Sequence, residues 1–174
     1  FRMNLALVYS RTNDGIDAPL VTVEVHLGNG LPGFSLVGLP EMAVKESKDR
    51  VRAAIINSRF EFPAKRITVN LAPADLPKDG GRFDLPIALG ILAASGQIST
   101  ESLADYEFIG ELALGGELRP VKGVLPTAFA ASQVGRGLFV PTENAGEAGL
   151  IKKLSVYGPN HLLQICSHLA GIER

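Results

Sequence analysis

The sequence predicts a mixed α/β domain, and three stretches carry that reading. Residues 21–27 alternate, with Val21, Val23, Val25 and Leu27 facing one way and Thr22, Glu24 and His26 the other. That is the pattern of a strand with one wet face. Residues 43–58 place Val44, Ser47, Val51, Ala54, Ile55 and Ser58 on one stripe at steps of three and four, as a helix does. Residues 85–94 are almost wholly apolar, the mark of a helix buried on every side. Strands first, then strands alternating with helices, make a mixed sheet covered by helices.

The elements follow in order. Residues 5–9 are a short apolar strand, and Asn13-Asp14-Gly15 marks a turn. The strand at 21–27 comes next. Gly28-Asn29-Gly30 suits a tight connection, so residues 33–37 are expected to pair back as the third strand of a β-meander. Pro40 closes that run, and the helix at 43–58 begins. Glu46 and Arg50 stand four apart in the favourable order and are placed on its solvent side. An extended link at 60–63 leads into a strand at 66–71, alternating through Ile67, Val69 and Leu71. A Pro/Asp/Gly loop fills 72–82. Asp84 is placed as the cap of the buried helix, with Pro86 in its first turn, where no backbone bond is lost.

Residues 98–105 read as a connector with one helical turn. Residues 108–114 read as a strand, Gly115-Gly116 as a hairpin turn and 117–119 as a short return that Pro120 confines to an edge. A helix at 125–132, a strand at 137–140, a helix at 143–152, a strand at 154–157 and an amphipathic helix at 161–170 complete the chain. No repeat, low-complexity tract or linker interrupts it, so a single domain is expected.

Composition narrows the function classes. The chain of 174 residues suffices for one proper core. Seventeen basic and eighteen acidic residues give a net charge of -1, so no global field draws the domain to nucleic acid or membrane, and only a local patch remains open. Cys166 is the single cysteine, which rules out an internal disulfide and fits a reducing cytoplasm. No apolar run approaches ~18 residues, so no membrane partner is expected. Residues 1–4 lack the build of a signal peptide. The absence of tryptophan and an aromatic content of 6% argue against a stacking platform for single strands.

A polar loop between a core strand and a core helix is where a fold displays a site. The loop at 72–82 lacks the spacing of a Walker A phosphate loop. Its nearest approach, Gly80-Gly81-Arg82, reads as a glycine turn ahead of a helix, and Asp75, Asp79 and Asp84 oppose an anion there. Arg82 is expected to pair with one of those three carboxylates. His26, His161, His168 and Cys166 are the soft metal ligands, and the spacing of Cys166 and His168 puts them on different helix faces, so no metal is expected. Lys45, Lys48, Arg52 and Arg59 form one stripe of the helix at 43–58, beside Glu41 and Asp49 and close in sequence to Arg50, Lys65 and Arg66. A solvated face laced with salt bridges is the first reading of that stripe, and weak electrostatic contact with DNA the second.

Three runs resemble a known family: Asn29-Gly-Leu-Pro-Gly-Phe-Ser-Leu-Val-Gly-Leu-Pro40, residues 62–86 including Pro77-Lys78-Asp79-Gly80-Gly81-Arg82-Phe83-Asp84, and Gly110-Glu-Leu-Ala-Leu-Gly-Gly-Glu-Leu-Arg-Pro120. They resemble the N-terminal domain of the YifB/ComM proteins, magnesium-chelatase-like AAA+ ATPases of bacteria. The likeness spans residues 3–171. It implies an α/β fold of the ribosomal-protein-S5-domain-2 type, related to the Lon protease domain. It implies an AAA+ module downstream that takes ATP and Mg, with no cofactor in the present domain. It implies, as partners, that module, neighbouring subunits of a hexameric ring and, through the full-length protein, DNA undergoing branch migration in natural transformation.

The Lon relationship also implies a comparison at the loop. Lon-type proteases carry Pro-Lys-Asp-Gly-Pro-Ser-Ala-Gly there, with the serine as nucleophile. Arg82 stands at the serine's place and Leu125 at that of the partner lysine. A serine–lysine mechanism needs a hydroxyl and a neutral amine in reach of each other, which an arginine and a leucine do not supply. Lys78, Asp79, Gly80, Gly81, Arg82 and Asp84 therefore read as a degenerate Lon-like site turned to structure or binding. The domain reads as a non-catalytic accessory module, with a Lon-like peptidase and a DNA-binding module as the alternatives.

Overall fold

The computed structural model describes residues 4–78 and 81–171. The elements are β1 (Leu5–Arg11), β2 (Leu20–Gly28), β3 (Gly33–Val37), α1 (Glu41–Asn57), β4 (Arg66–Ala72), α2 (Asp84–Ala94), β5 (Tyr106–Phe108), β6 (Glu111–Leu112), β7 (Leu118–Arg119), α3 (Val124–Gln133), β8 (Gly137–Phe139), α4 (Thr142–Ala148), β9 (Val156–Tyr157) and α5 (Leu162–Leu169). Single 3₁₀ turns lie at Gly81–Phe83 and Leu103–Asp105.

Among the described residues the main sheet has seven strands in the order β3-β4-β2-β1-β5-β8-β9, and β6 and β7 form a separate two-stranded ribbon. The β1/β2 and β2/β4 pairs are antiparallel, whereas β3/β4, β1/β5, β5/β8 and β8/β9 are parallel. The expected mixed α/β class is what the chain adopts, but the expected β-meander is not. β3 pairs with β4 in parallel, Phe34 opposite Ile67, and β2 takes β4 as its neighbour instead, Val25 opposite Val69. The cause is burial. β4 buries Ile67, Val69 and Leu71, so it belongs inside the sheet; β3 buries only Leu36, so it suits an edge. A parallel pair needs a long crossover, and α1 is that crossover.

α2 is the centre of the core. Each of its eleven residues is buried. Gly90 lets it settle on the sheet, because a Cβ there would lie 2.5 Å from Val25 Cγ2 and 3.6 Å from Val8 Cγ2. α1 flanks α2 through the expected stripe: Ser47, Val51, Ala54 and Ile55 are buried. A smaller core under α3 and α4 gathers Ile109, Val124, Ala128, Leu138 and Val140.

The predicted strand at 108–114 divides. Tyr106–Phe108 stays in the main sheet, and Glu111–Leu112 joins the ribbon. Between them the chain leaves to cap α2: the Gly110 carbonyl accepts from Leu85 N at 3.0 Å, and Gly110 N donates to the Arg82 carbonyl at 3.0 Å. An apolar run cannot announce such a departure, because both paths bury it.

Candidate functional site

The loop after β4 is tied down at several points. Thr12 Oγ1, just past β1, donates to the Pro77 carbonyl. Lys78 is buried and folds back on its own loop, its Nζ donating to the Pro73 carbonyl at 2.6 Å and to the Leu76 carbonyl at 3.3 Å. Burial lowers the pKa of that amine, and Asp75 partly offsets it. Asp79 and Gly80 lie outside the described residues.

Arg82 lies in the 3₁₀ turn and is only 5% exposed. Its Nη1 donates to the Lys122 carbonyl and its Nη2 to Thr127 Oγ1, both at 3.0 Å. The Asn13 amide, turned to suit its neighbours, accepts from Arg82 Nη1 at 2.9 Å and donates to the Gly123 carbonyl at 3.2 Å. One guanidinium thus joins the β1–β2 loop, the turn after β7 and the first helical turns of α3. Gly81 has no Cβ because the Glu111 carboxylate occupies that space, its Cδ within 2.9 Å of the position. A groove of about 230 Å³ remains, lined by Asn13, Gly81, Arg82, Glu111, Val121 and Lys122. Leu125, at the place where the Lon comparison puts a lysine, is an apolar side chain 38% exposed.

Asp84 does not cap α2 with its side chain, contrary to expectation. It is the first residue of the helix, and no side-chain cap precedes it. Its carboxylate points across to α1 and β6. Oδ1 accepts from Ser47 Oγ at 2.6 Å and Arg50 Nη2 at 3.3 Å; Oδ2 accepts from Arg50 Nε at 2.6 Å and Leu112 N at 3.1 Å. Arg50 is therefore turned inward rather than to solvent, and its contact with Glu46 is a loose 3.9 Å. Of the carboxylates expected around Arg82, Asp84 is engaged by Arg50, Asp75 is exposed and Asp79 is outside the described residues.

Burial drives the Asp84 pKa up to about 6, against the pull of the Arg50 and Ser47 hydrogen bonds. A folded-state pKa above the ordinary carboxylate value near 3.8 has a definite sign. The proton-linked part of the group's contribution to stability is full below the unfolded value and is lost as pH rises through the folded one, while the hydrogen bonds of the ionised carboxylate remain. The stability gap between this chain and Asp84→Ala is thus expected to widen as pH falls from about 7.5 to about 4.5. Urea unfolding at a series of pH values reads that gap, and a gap that narrows over the same range contradicts the assignment.

The basic stripe of α1 is only partly as expected. Lys45 and Arg52 are exposed on the helix and Lys48 is half-buried. Arg59 lies beyond the helix, in the left-handed region with φ 70°, so it leaves the stripe. The salt-bridge lacing does not form: among the described residues Arg50 is the basic residue of α1 that pairs with carboxylates. Lys48 and Arg52 instead lie over the rings of Phe34 and Phe62. Among the described residues no cluster of three or more His, Cys, Asp or Glu side chains is placed to hold a metal ion. Among the described residues no helix is long and apolar enough to cross a membrane.

A second ionic cluster was not foreseen. Glu107 is fully buried and accepts from Arg11 Nε at 2.7 Å, Arg11 Nη2 at 2.9 Å and Arg136 Nη1 at 3.0 Å. Arg136 also covers the Tyr9 ring at 4.0 Å. These partners are far apart in sequence; the β1/β5 pairing brings Arg11 to Glu107 and the β5/β8 pairing brings Arg136.

Fold and corner together define a mixed α/β domain whose loop between β4 and α2 is anchored by a buried arginine, Arg82. Residues 23–144 match the family described as subunit ChlI of Mg-chelatase, and the chain belongs to that family. It is 58% identical to Competence protein ComM of Haemophilus influenzae over 172 residues, 99% of this chain and 34% of the relative. It is 56% identical to the uncharacterized protein YifB of Salmonella typhimurium, over 97% of this chain and 33% of the relative. A Lon protease of Mycoplasma mobile is 27% identical over 67% of this chain and 14% of its own length. The chain spans about a third of the length of the ComM and YifB relatives.

Proposed function

We propose that this domain is a non-catalytic accessory module of a ComM/YifB-type AAA+ ATPase, acting in assembly or regulation of the ring. The observation that carries the reading is Arg82: the residue that the resemblance aligns with the nucleophile is a buried guanidinium that holds Asn13, Lys122 and Thr127. A charged, hydrogen-bonded arginine is not a nucleophile. Beside this corner α3 exposes Leu125 and Phe129, and the residue after it Val134, at 38%, 55% and 55%, apolar surface of the kind that protein contacts use. On this reading ATP and Mg²⁺ belong to an AAA+ module elsewhere in the full protein. The domain's partners are that module and neighbouring subunits, in the cytoplasm. The name of the Haemophilus relative supports a role in competence, where the resemblance points to branch migration of recombining DNA.

The full-length protein tests it, with and without this domain, by sedimentation in the presence of ATP. Removal is expected to abolish ring assembly or uncouple ATP turnover from it, while ATP binding survives. A protein lacking the domain that assembles and turns over ATP like the intact one contradicts the proposal.

A further inference from the structure

We infer that the sheet edge where β3 meets α1 binds single-stranded nucleic acid. The inference goes beyond the accessory reading and does not depend on it. Phe34, on β3, and Phe62, in the link to β4, bring their ring centroids within 5.7 Å at 44°. Arg52 lies over the Phe62 ring at 4.7 Å, and Lys48 over the Phe34 ring at 5.6 Å. Beside them runs a groove of about 260 Å³ lined by Pro32, Phe34, Arg52, Phe62, Pro63 and Lys65 among others, with no carboxylate in its wall. Arg66 extends the positive edge: it pairs with Gly33 in the β3/β4 register, and its Nη1 lies 3.2 Å from where a Gly33 Cβ would stand.

What marks this patch is four cations gathered at two aromatic rings. Arg11, Arg50 and Arg136 are all in ion pairs with buried carboxylates. Among the described residues Lys48, Arg52, Lys65 and Arg66 make none. Cation–π packing that merely covers two rings accounts for Lys48 and Arg52, but not for Lys65 and Arg66 on the same edge.

The chemistry selects the partner. A ring beneath a guanidinium holds it flat, which leaves the outer face of Arg52 to stack on an unpaired base. The guanidinium edge and the ammonium groups face phosphates. Cations interleaved with π-faces are what a strand of alternating phosphates and bases requires. A duplex hides its base faces, so it offers Arg52 nothing to stack on. An acidic polypeptide needs the charge alone. The scarcity of aromatics in the sequence argued against stacking, yet two rings suffice once the β3/β4 register places them together.

The test is fluorescence anisotropy of a labelled 15-nucleotide oligothymidylate with this chain, from 50 to 200 mM NaCl. With three or four phosphates contacted, the log–log slope should be about −2 to −3, so affinity falls roughly 20–50-fold over that range. Arg52→Ala should weaken binding at least tenfold and flatten the slope by about 0.7, the share of one phosphate on a single strand. Phe62→Leu should weaken it roughly fivefold with the slope unchanged, since it removes a π-face and no charge. If Phe62→Leu does not fold, Arg52→Lys at its exposed site asks the same question. It keeps the charge, loses the plane, and should also lose affinity at constant slope. The double substitution Lys152→Ala/Lys153→Ala, at exposed lysines after α4, should change nothing. The inference is overturned by any of three results: no binding at 50 mM NaCl, equal binding of a duplex or an abasic strand, or binding indifferent to Arg52→Ala combined with Lys48→Ala. Thermal melts of each variant confirm that the folded chain is what was measured.

Discussion

Replacing Asp84 with alanine is expected to destabilise the domain by about 3–5 kcal/mol, the range for breaking a buried ion pair by removing one partner. The carboxylate is fully buried and gathers donors from three elements: Ser47 and Arg50 of α1 and the Leu112 amide of β6. Alanine leaves each of them facing a void. The serine hydroxyl and the Leu112 amide lose their acceptor, and Arg50 loses its bidentate partner. Asparagine does not rescue, because its amide nitrogen must face a donor whichever way it turns. Urea unfolding monitored by circular dichroism measures the loss. A change under about 1 kcal/mol, the worth of a surface pair, contradicts the central place given to this contact.

Replacing Arg82 with alanine is expected to cost about 2–4 kcal/mol, from hydrogen bonds to a charged donor that are worth roughly 1.5–3 kcal/mol and from polar groups left unpaired. Its guanidinium reaches Lys122 and Thr127, and Thr127 is fully buried. Lysine at this position should lose nearly as much, since one ammonium cannot reproduce a planar fork aimed at several segments. Serine should be as damaging as alanine. If Arg82→Lys is as stable as the parent, the fork geometry is not what holds the corner.

The sequence shows most elements and little of their arrangement. The alternation in β2 and β4 and the stripe of α1 come from local periodicity, which the core enforces residue by residue. The neighbour of β3 is different: it depends on which strand buries more, and that is a comparison between distant segments. The site shows the same division. The Pro77–Asp84 run marks the corner, and the Lon comparison points to Arg82 and Leu125. Arg82's partners Asn13, Lys122 and Thr127 are 69, 40 and 45 residues away, so nothing local in the sequence points to them. One signal was present and unused. Ser47 interrupts an otherwise apolar stripe, and a buried hydroxyl requires a polar partner, which Asp84 supplies.

Cleavage of an unfolded protein is the most direct test of the claim that this corner holds the fold and does no chemistry. Pure chain and its Arg82→Ser variant are each incubated with unfolded casein, and the release of acid-soluble peptide is followed. The account predicts no release above the blank from either, because restoring the hydroxyl leaves Leu125 where an amine is needed. Peptide release by the unaltered chain, abolished by a single substitution within it, would contradict the account.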